Sequence, residues 1–252
     1  MGMIIKSDEE IAAMRRAGRV VARVLKVLAE QVNVGMKTAE LNVIAEETVK
    51  ELGGKPSFKG YHGFPASICA SINDEIVHGI PGERVINDGD IISLDFGAIY
   101  DGFQGDAAVT VAVGKTSEPT TRLIEATRGA LEAGIAAARL GVRLGDVSAA
   151  IQHYAESRGF SVVREYTGHG IGREMHEEPQ IPNFGVPGTG PVLKKGMTLA
   201  LEPMLNVGDW RTKVDNDHWT VRTADGSLSA HFEHTIAITD TEPEVLTKGD
   251  YA

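Results

Sequence analysis

At 252 residues the chain has room for one large domain or two modest ones, and its single cysteine, Cys69, excludes a disulfide scaffold and fits a reducing compartment. The formal net charge of −10 gives no general electrostatic pull toward nucleic acid or anionic lipid. No run approaches the ~18 apolar residues of a membrane span, and residues 1–10 turn acidic by Asp8 instead of forming the apolar stretch of a signal peptide. Glycine is the anomaly, at 29 of 252 residues where about 7% is average. With no Gly-X-Y period and 42% hydrophobic residues, these glycines punctuate a folded chain.

Ile11, Met14, Val21, Leu25 and Leu28 recur at helical spacing and predict a first helix, with Ser7 and Glu10 spaced for a capping box. Gly35 interrupts the pattern. Thr38 is the expected cap of a second helix that runs through Leu41, Ile44 and Val49 and stops at Gly53-Gly54. A Gly-, Pro- and aromatic-rich loop over 55–65 leads to a short strand at 68–72. Ile91, Ile92 and Leu94 form a strand running into Asp95, and 107–113 is a second, β-branched one. Helices are predicted over 121–140 and 145–158, then strands at 198–202, 218–222 and 232–239. This mixture reads as α/β (α+β) rather than either pure class.

The chain also repeats itself. Residues 85–95 (VINDGDIISLD) can be laid on 192–202 (VLKKGMTLALE), each a glycine turn followed by a strand ending in a carboxylate. His78-Gly79-Ile80-Pro81 echoes His169-Gly170-Ile171-Gly172, and Asp106 before its apolar run echoes Glu233 before another. Matched pairs in the same order point to one domain over 1–252, built from two related halves at about 1–115 and 116–252.

The matched positions carry metal-ligand chemistry. Asp95, Asp106, His169, Glu202 and Glu233 each fall at the end or edge of a predicted strand, where the backbone holds a side chain better than a loop does. Singly, each has an ordinary reading as a solvated carboxylate or a satisfied imidazole. Together, four carboxylates without cations would repel and lift at least one pKa. Two divalent ions would balance them, and carboxylates with one imidazole suit Co, Mn, Fe(II) or Zn. A pair of such ions ~3.5–4 Å apart polarises a carbonyl and generates hydroxide near neutral pH. Residues 168–172 are not a phosphate loop, because the glycine spacing is wrong and a histidine sits inside it.

The sequence strongly resembles the type I methionine aminopeptidases, metal-dependent enzymes of the pita-bread fold. The likeness lies in 61–65 (YHGFP), 71–73 (SIN), 77–81 (VHGIP), 93–95 (SLD), 106–108 (DAA), 168–172 (GHGIG), 176–177 (HE), 201–203 (LEP) and 232–235 (FEHT), and it covers essentially the whole chain. It implies two pseudo-symmetric halves with an antiparallel-rich curved sheet flanked by helices. It also implies Asp95 on one metal, Asp106 and Glu233 bridging two, and His169 and Glu202 on the other. A metal-activated hydroxide would attack the carbonyl after the first residue, with Glu202 as proton acceptor. His176 would donate to the developing oxyanion, and His78 would contact the scissile amide and assist the departing amine.

By the same resemblance Tyr61, Phe64, Cys69 and Trp219 line an apolar pocket for an unbranched thioether, with Phe58 and Met175 adjoining. Phe58 stands where some relatives carry cysteine and Met175 where an aromatic is frequent, departures that bear on pocket shape and inhibitor preference. His62, His153, His218, His231 and His234 receive no catalytic role. Expected partners are N-terminal Met peptides and nascent polypeptides with a small second residue, with the ribosome as a transient partner. No DNA or membrane is expected, and a cytoplasmic monomer is. Proline-specific peptidases of the same fold typically follow the last glutamate with aspartate, whereas His234 follows Glu233 here. Non-enzymatic relatives lose ligands, and all five are present.

Overall fold

The computed structural model describes residues 2–249, so the outermost ends of the expected 1–252 domain lie outside it. Helix α1 (Asp8–Gln31) starts where Ser7 Oγ accepts the Glu10 amide at 3.3 Å and Glu10 Oε2 accepts the Ser7 amide at 3.1 Å, the expected capping box. Helix α2 (Thr38–Glu51) starts differently. Lys37, extended and bridged to Val85, is the capping position, and Glu40 accepts its amide at 2.7 Å. The Thr38 hydroxyl accepts the Gly82 amide at 2.8 Å instead.

Short strands β1 (Lys55–Pro56), β2 (Cys69–Ile72) and β3 (Glu75–Val77) precede a long hairpin, β4 (Ile91–Tyr100) and β5 (Phe103–Ala112). Asp101 and Gly102 close it with φ of 49° and 75°, the left-handed pair that a two-residue hairpin turn requires. Both strands are longer than expected, so Asp95 and Asp106 lie inside them rather than at their ends.

The second half opens with α3 (Glu118–Ala137), capped by Ser117, and α4 (Leu144–Glu156), where Asp146 accepts the Arg143 amide at 3.1 Å. Arg143 is bridged to Val192 as Lys37 is to Val85. Then come β6 (Ser161–Val162), β7 (Thr167–Gly170), β8 (Glu177–Pro182), β9 (Thr198–Leu201) and β10 (Met204–Asn206). They are followed by β11 (Thr212–Val214), β12 (Val221–Thr223), β13 (Ser229–His231), β14 (Glu233–Ala237) and β15 (Glu244–Val245). The strand expected at 218–222 begins only at Val221, because His218 turns left-handed with φ 64°.

Among the described residues the main sheet has nine strands in the order β1-β4-β5-β14-β9-β7-β8, with β2 also on β4 and β15 on β14. Every pairing in it is antiparallel. Two three-stranded sheets, β13-β10-β6 and β11-β12-β3, flank it. Strand alternation sends Leu94, Phe96, Val109, Leu199, Leu201 and Ile236 into the core with Leu25 and Leu28 of α1 and Leu123 and Leu131 of α3. The helices therefore cover one face of the sheet and leave the other to the site.

Candidate metal centre and active site

Sheet register assembles the candidate ligands. Asp95 pairs with Ala108 and Asp106 with Gly97, so the two aspartates are diagonal neighbours on one face of the β4–β5 hairpin. Glu233 pairs with Ala108 from the other side. His234 pairs with Leu201, which carries Glu202, just past the end of β9, opposite Glu233. His169 pairs with Ala200, two residues before Glu202 and on the same face. Five strands adjacent in the sheet thus present Asp95, Asp106, Glu233, Glu202 and His169 together.

Ligand atoms of Asp106, His169 and Glu233 lie within 4.8 Å of one another. Asp95 Oδ1, Asp106 Oδ1 and Glu233 Oε1 are buried without any hydrogen-bond partner, a state that costs about 1–3 kcal/mol or more per group. His169 Nδ1 must donate to the Gly170 carbonyl, 2.9 Å away. That leaves a lone pair on Nε2, which faces Glu202 Oε1 across 3.6 Å. An imidazole lone pair and a carboxyl group too far apart to share a hydrogen bond can both be satisfied by a cation between them. The donor set fits divalent metal.

Electrostatics agree. Burial pushes Asp95 up to about 7, against the pull of the Cys69 thiol hydrogen bond. Burial and then Asp95 hold Asp106 well above the carboxylate range. Burial, Asp106 and Asp95 do the same to Glu202, and burial, Asp106 and Glu202 to Glu233. Burial and then His176 push His169 down to about 3, so its imidazole is neutral, as a metal ligand must be.

All five residues line one cavity of about 280 Å³ together with His78, His176, Tyr61, Phe64, Cys69, Trp219, Phe58 and Met175. Trp219 meets Phe64 edge-on, centroids 5.1 Å apart. Phe58 and Met175 close over Gly97, where a Cβ would come within 2.8 Å of Phe58 and 2.9 Å of Met175. Cys69 is buried, and burial followed by Asp95 and Asp106 raises its thiol well above the usual range, so it is no ready thiolate.

The two histidines are held firmly. His78 sits at φ 61°, edge-on to Tyr166 and Trp219, and burial with His176 lowers it to about 4. His176 Nδ1 is 2.8 Å from the Tyr61 hydroxyl. Burial, then Glu174, raises the Tyr61 phenol. The phenol therefore stays protonated, and by donating to Nδ1 it would leave the imidazole proton on Nε2. The next residue, Glu177, is paired with buried Lys6 and accepts the Arg173 amide at 3.1 Å, which pins the loop carrying Met175 and His176.

The model of Metallopeptidase family M24 matches residues 12–240. A methionine aminopeptidase of Clostridium acetobutylicum is 53% identical over 246 residues, covering 97% of this chain and 98% of that one. The chain belongs to the methionine aminopeptidases of family M24. The crystal structure of methionine aminopeptidase from Thermotoga maritima matches with TM-score 0.97 at 50% identity, covering 98% of this chain and 100% of that one. The prolidase of Pyrococcus horikoshii shares the fold alone, with TM-score 0.81 at 23% identity, and 64% of its length is covered. The architecture is the pita-bread fold.

The cavity also includes His62, Val77, Tyr166 and Thr167, to which sequence reasoning gave no role. Tyr166 and Thr167 directly precede the 168–172 motif, a signal that was available. His231, likewise given no role, is buried beside Glu202, with Nε2 4.0 Å from Glu202 Oε2. Burial and then His78 lower it to about 3. Its spacing of two from Glu233 was the available clue, since residues i and i+2 of an extended chain share a face. His153 is exposed on α4 and His218 lies in an exposed turn.

Proposed function

We propose that this protein hydrolyses the bond after an N-terminal methionine, with two divalent ions held by Asp95, Asp106, His169, Glu202 and Glu233. One observation carries the reading: the donor set and an aromatic, thiol-lined apolar pocket share a single cavity. Divalent ions bound there would polarise the scissile carbonyl and bring the pKa of water near neutrality. Tyr61, Phe64, Cys69 and Trp219, with Phe58 and Met175, receive the thioether side chain. Glu202 takes the proton from the attacking water. His176, with Nδ1 held by Tyr61, turns Nε2–H to the carbonyl oxygen as charge develops there. His78 contacts the scissile amide and assists the leaving amine.

Two ions match the four carboxylate charges; Co, Mn, Fe(II) and Zn all suit the donors. The substrates proposed are nascent polypeptides with a small second residue, met in the cytoplasm and transiently at the ribosome, by a monomer. No helix among the described residues is long and apolar enough to cross a membrane. We also propose that the chain is one domain of two duplicated halves, 1–115 and 116–252. The matching caps at Lys37 and Arg143 and their bridges to Val85 and Val192 support this.

The test is a titration of chelator-stripped protein with each of the four metals, following methionine release from Met-Gly-Met-Met. Activity should appear only with metal, on Met-Ala-Ser and not on a Leu-Pro peptide. Turnover indifferent to metal, or preference for Leu-Pro, would overturn the reading.

A further inference from the structure

His231 is a buried side chain that the proposed reaction leaves unused. It ends β13 opposite Met204 of β10 and is 1% exposed. Neither ring nitrogen has a hydrogen-bond partner, whereas buried polar groups in native proteins are nearly always paired. Its main chain cannot drift. Thr110 Oγ1 accepts the His231 amide at 2.9 Å and donates to its carbonyl at 2.8 Å.

The ring does not line the cavity, but Glu202 does. The Glu202 carboxylate is flanked by two imidazoles. Its Oε1 faces His169 Nε2 at 3.6 Å and its Oε2 faces His231 Nε2 at 4.0 Å. The first imidazole offers a lone pair and belongs to the donor set. The second is buried outside the cavity, and neither of its nitrogens has a hydrogen-bond partner.

We propose that His231 is a positioning residue for Glu202. Its Nε2–H donates to Glu202 Oε2 when the carboxylate shifts by about 1 Å, which brings the pair to hydrogen-bond distance, and this aims Oε1 at the metal held with His169. The assignment rests on the reading of Glu202 as a metal-holding residue, and it predicts that Glu202 works through a donor that never touches substrate. Outer partners of ligating carboxylates fix their orientation, and losing one typically costs about 10–100-fold in metal affinity or activity.

The experiment titrates Mn(II) into chelator-stripped wild type, H231Q, H231L and E202Q by calorimetry, with kcat and KM measured on Met-Ala-Ser and melting temperature on the metal-free proteins. Glutamine keeps a terminal N–H, while leucine fills similar space without one. H231L should bind Mn(II) about 10–100-fold more weakly and lose kcat with little change in KM, at an unchanged or higher melting temperature. H231Q should keep wild-type affinity and kcat. If H231L does not fold, H231M, of glutamine's length without its N–H, takes its place in the same comparison. Wild-type Mn(II) affinity and kcat in the leucine or methionine variant would overturn the proposal. So would equal impairment of H231Q with an equal fall in melting temperature, since the ring would then only fill space. E202Q separates the two readings: if it binds Mn(II) as wild type does, the ligand reading of Glu202 fails first.

Discussion

Two clusters of charge in this molecule are built in opposite ways. Arg222 bonds Asp74 at 2.8 Å, Glu75 at 2.7 Å and Asp215 at 2.5 Å, and Arg84 also pairs with Glu75. Burial still lifts Glu75, but the Ile72 amide, Arg84 and Arg222 pull it back. Here the chain supplies its own cations, and the cluster ties β12 to β3. Around Asp106 four carboxylates converge with one neutral imidazole and no cation of the chain's own, and three oxygens lack any partner. A structural cluster closes its own accounts of charge and hydrogen bonds. One that leaves them open is waiting for something from outside.

The sharpest way to break this contrast is D106N. It should reduce methionine release to background under every metal, while the metal-free protein melts at the same or a higher temperature because a buried carboxyl that burial and Asp95 force to stay protonated gives way to a neutral amide. A parallel loss of folding would place Asp106 with the structural cluster instead. R222L should do the reverse. Stranding Asp74 and Asp215, both partly solvated, should cost about 1–3 kcal/mol, the scale of lost hydrogen bonds to charged groups, while Glu75 keeps Arg84. Denaturant midpoints would read this, with Mn(II) affinity unchanged.

Acidity separates the clusters more gently. Burial raises the site carboxylates, Asp95 to about 7, so the native metal-free protein holds protons that the unfolded chain releases. Their contribution is full below the unfolded values near 4 and is lost as pH rises through about 7. The buried imidazoles act oppositely. His169 at about 3 and His78 at about 4 contribute fully above the unfolded 6.5 and lose that contribution as pH falls. Above about pH 7.5 the imidazoles are neutral in both states and the carboxylates set the sign, so the metal-free melting temperature should fall between about pH 7.5 and 8.5 and Mn(II) should abolish the fall. A flat metal-free profile would contradict the picture. The smallest effect is expected for Y61F, which removes the hydroxyl at His176 Nδ1. One hydrogen bond of about 0.5–1.5 kcal/mol predicts a 2–12-fold drop in kcat, and steady-state kinetics on Met-Ala-Ser would measure it.

Much of this was legible before any coordinates. Helix periodicity and the Ser7–Glu10 box located α1, and alternation located the cores of β4 and β5. The repeated glycine-turn-strand pattern pointed to Asp95 and Glu202. What stayed hidden has physical reasons. Strands of two or three residues, such as Ser161–Val162 and Glu244–Val245, carry no readable period and exist because neighbours pair with them. Asp95 and Asp106 looked like strand ends because buried aspartate is costly inside a sheet, and a functional site is where that rule is broken. Thr38 was passed over as a cap because Lys37 is fixed by Val85, a contact distant in sequence. The way β5 meets β14, joining the two proposed halves, cannot be read from either strand alone.

That junction has a consequence for the life of the chain. The donors are spread from Asp95 to Glu233 and meet only through five neighbouring strands of one sheet. During synthesis, a chain that has emerged as far as Glu202 holds three of the four carboxylates, yet β14, which joins β5 to β9, does not exist. Metal that prefers the assembled set can stabilise only the finished protein, by mass action on the folded state. With the proposed donor set, cation capture would mark the completed chain, and a truncated chain would be inactive.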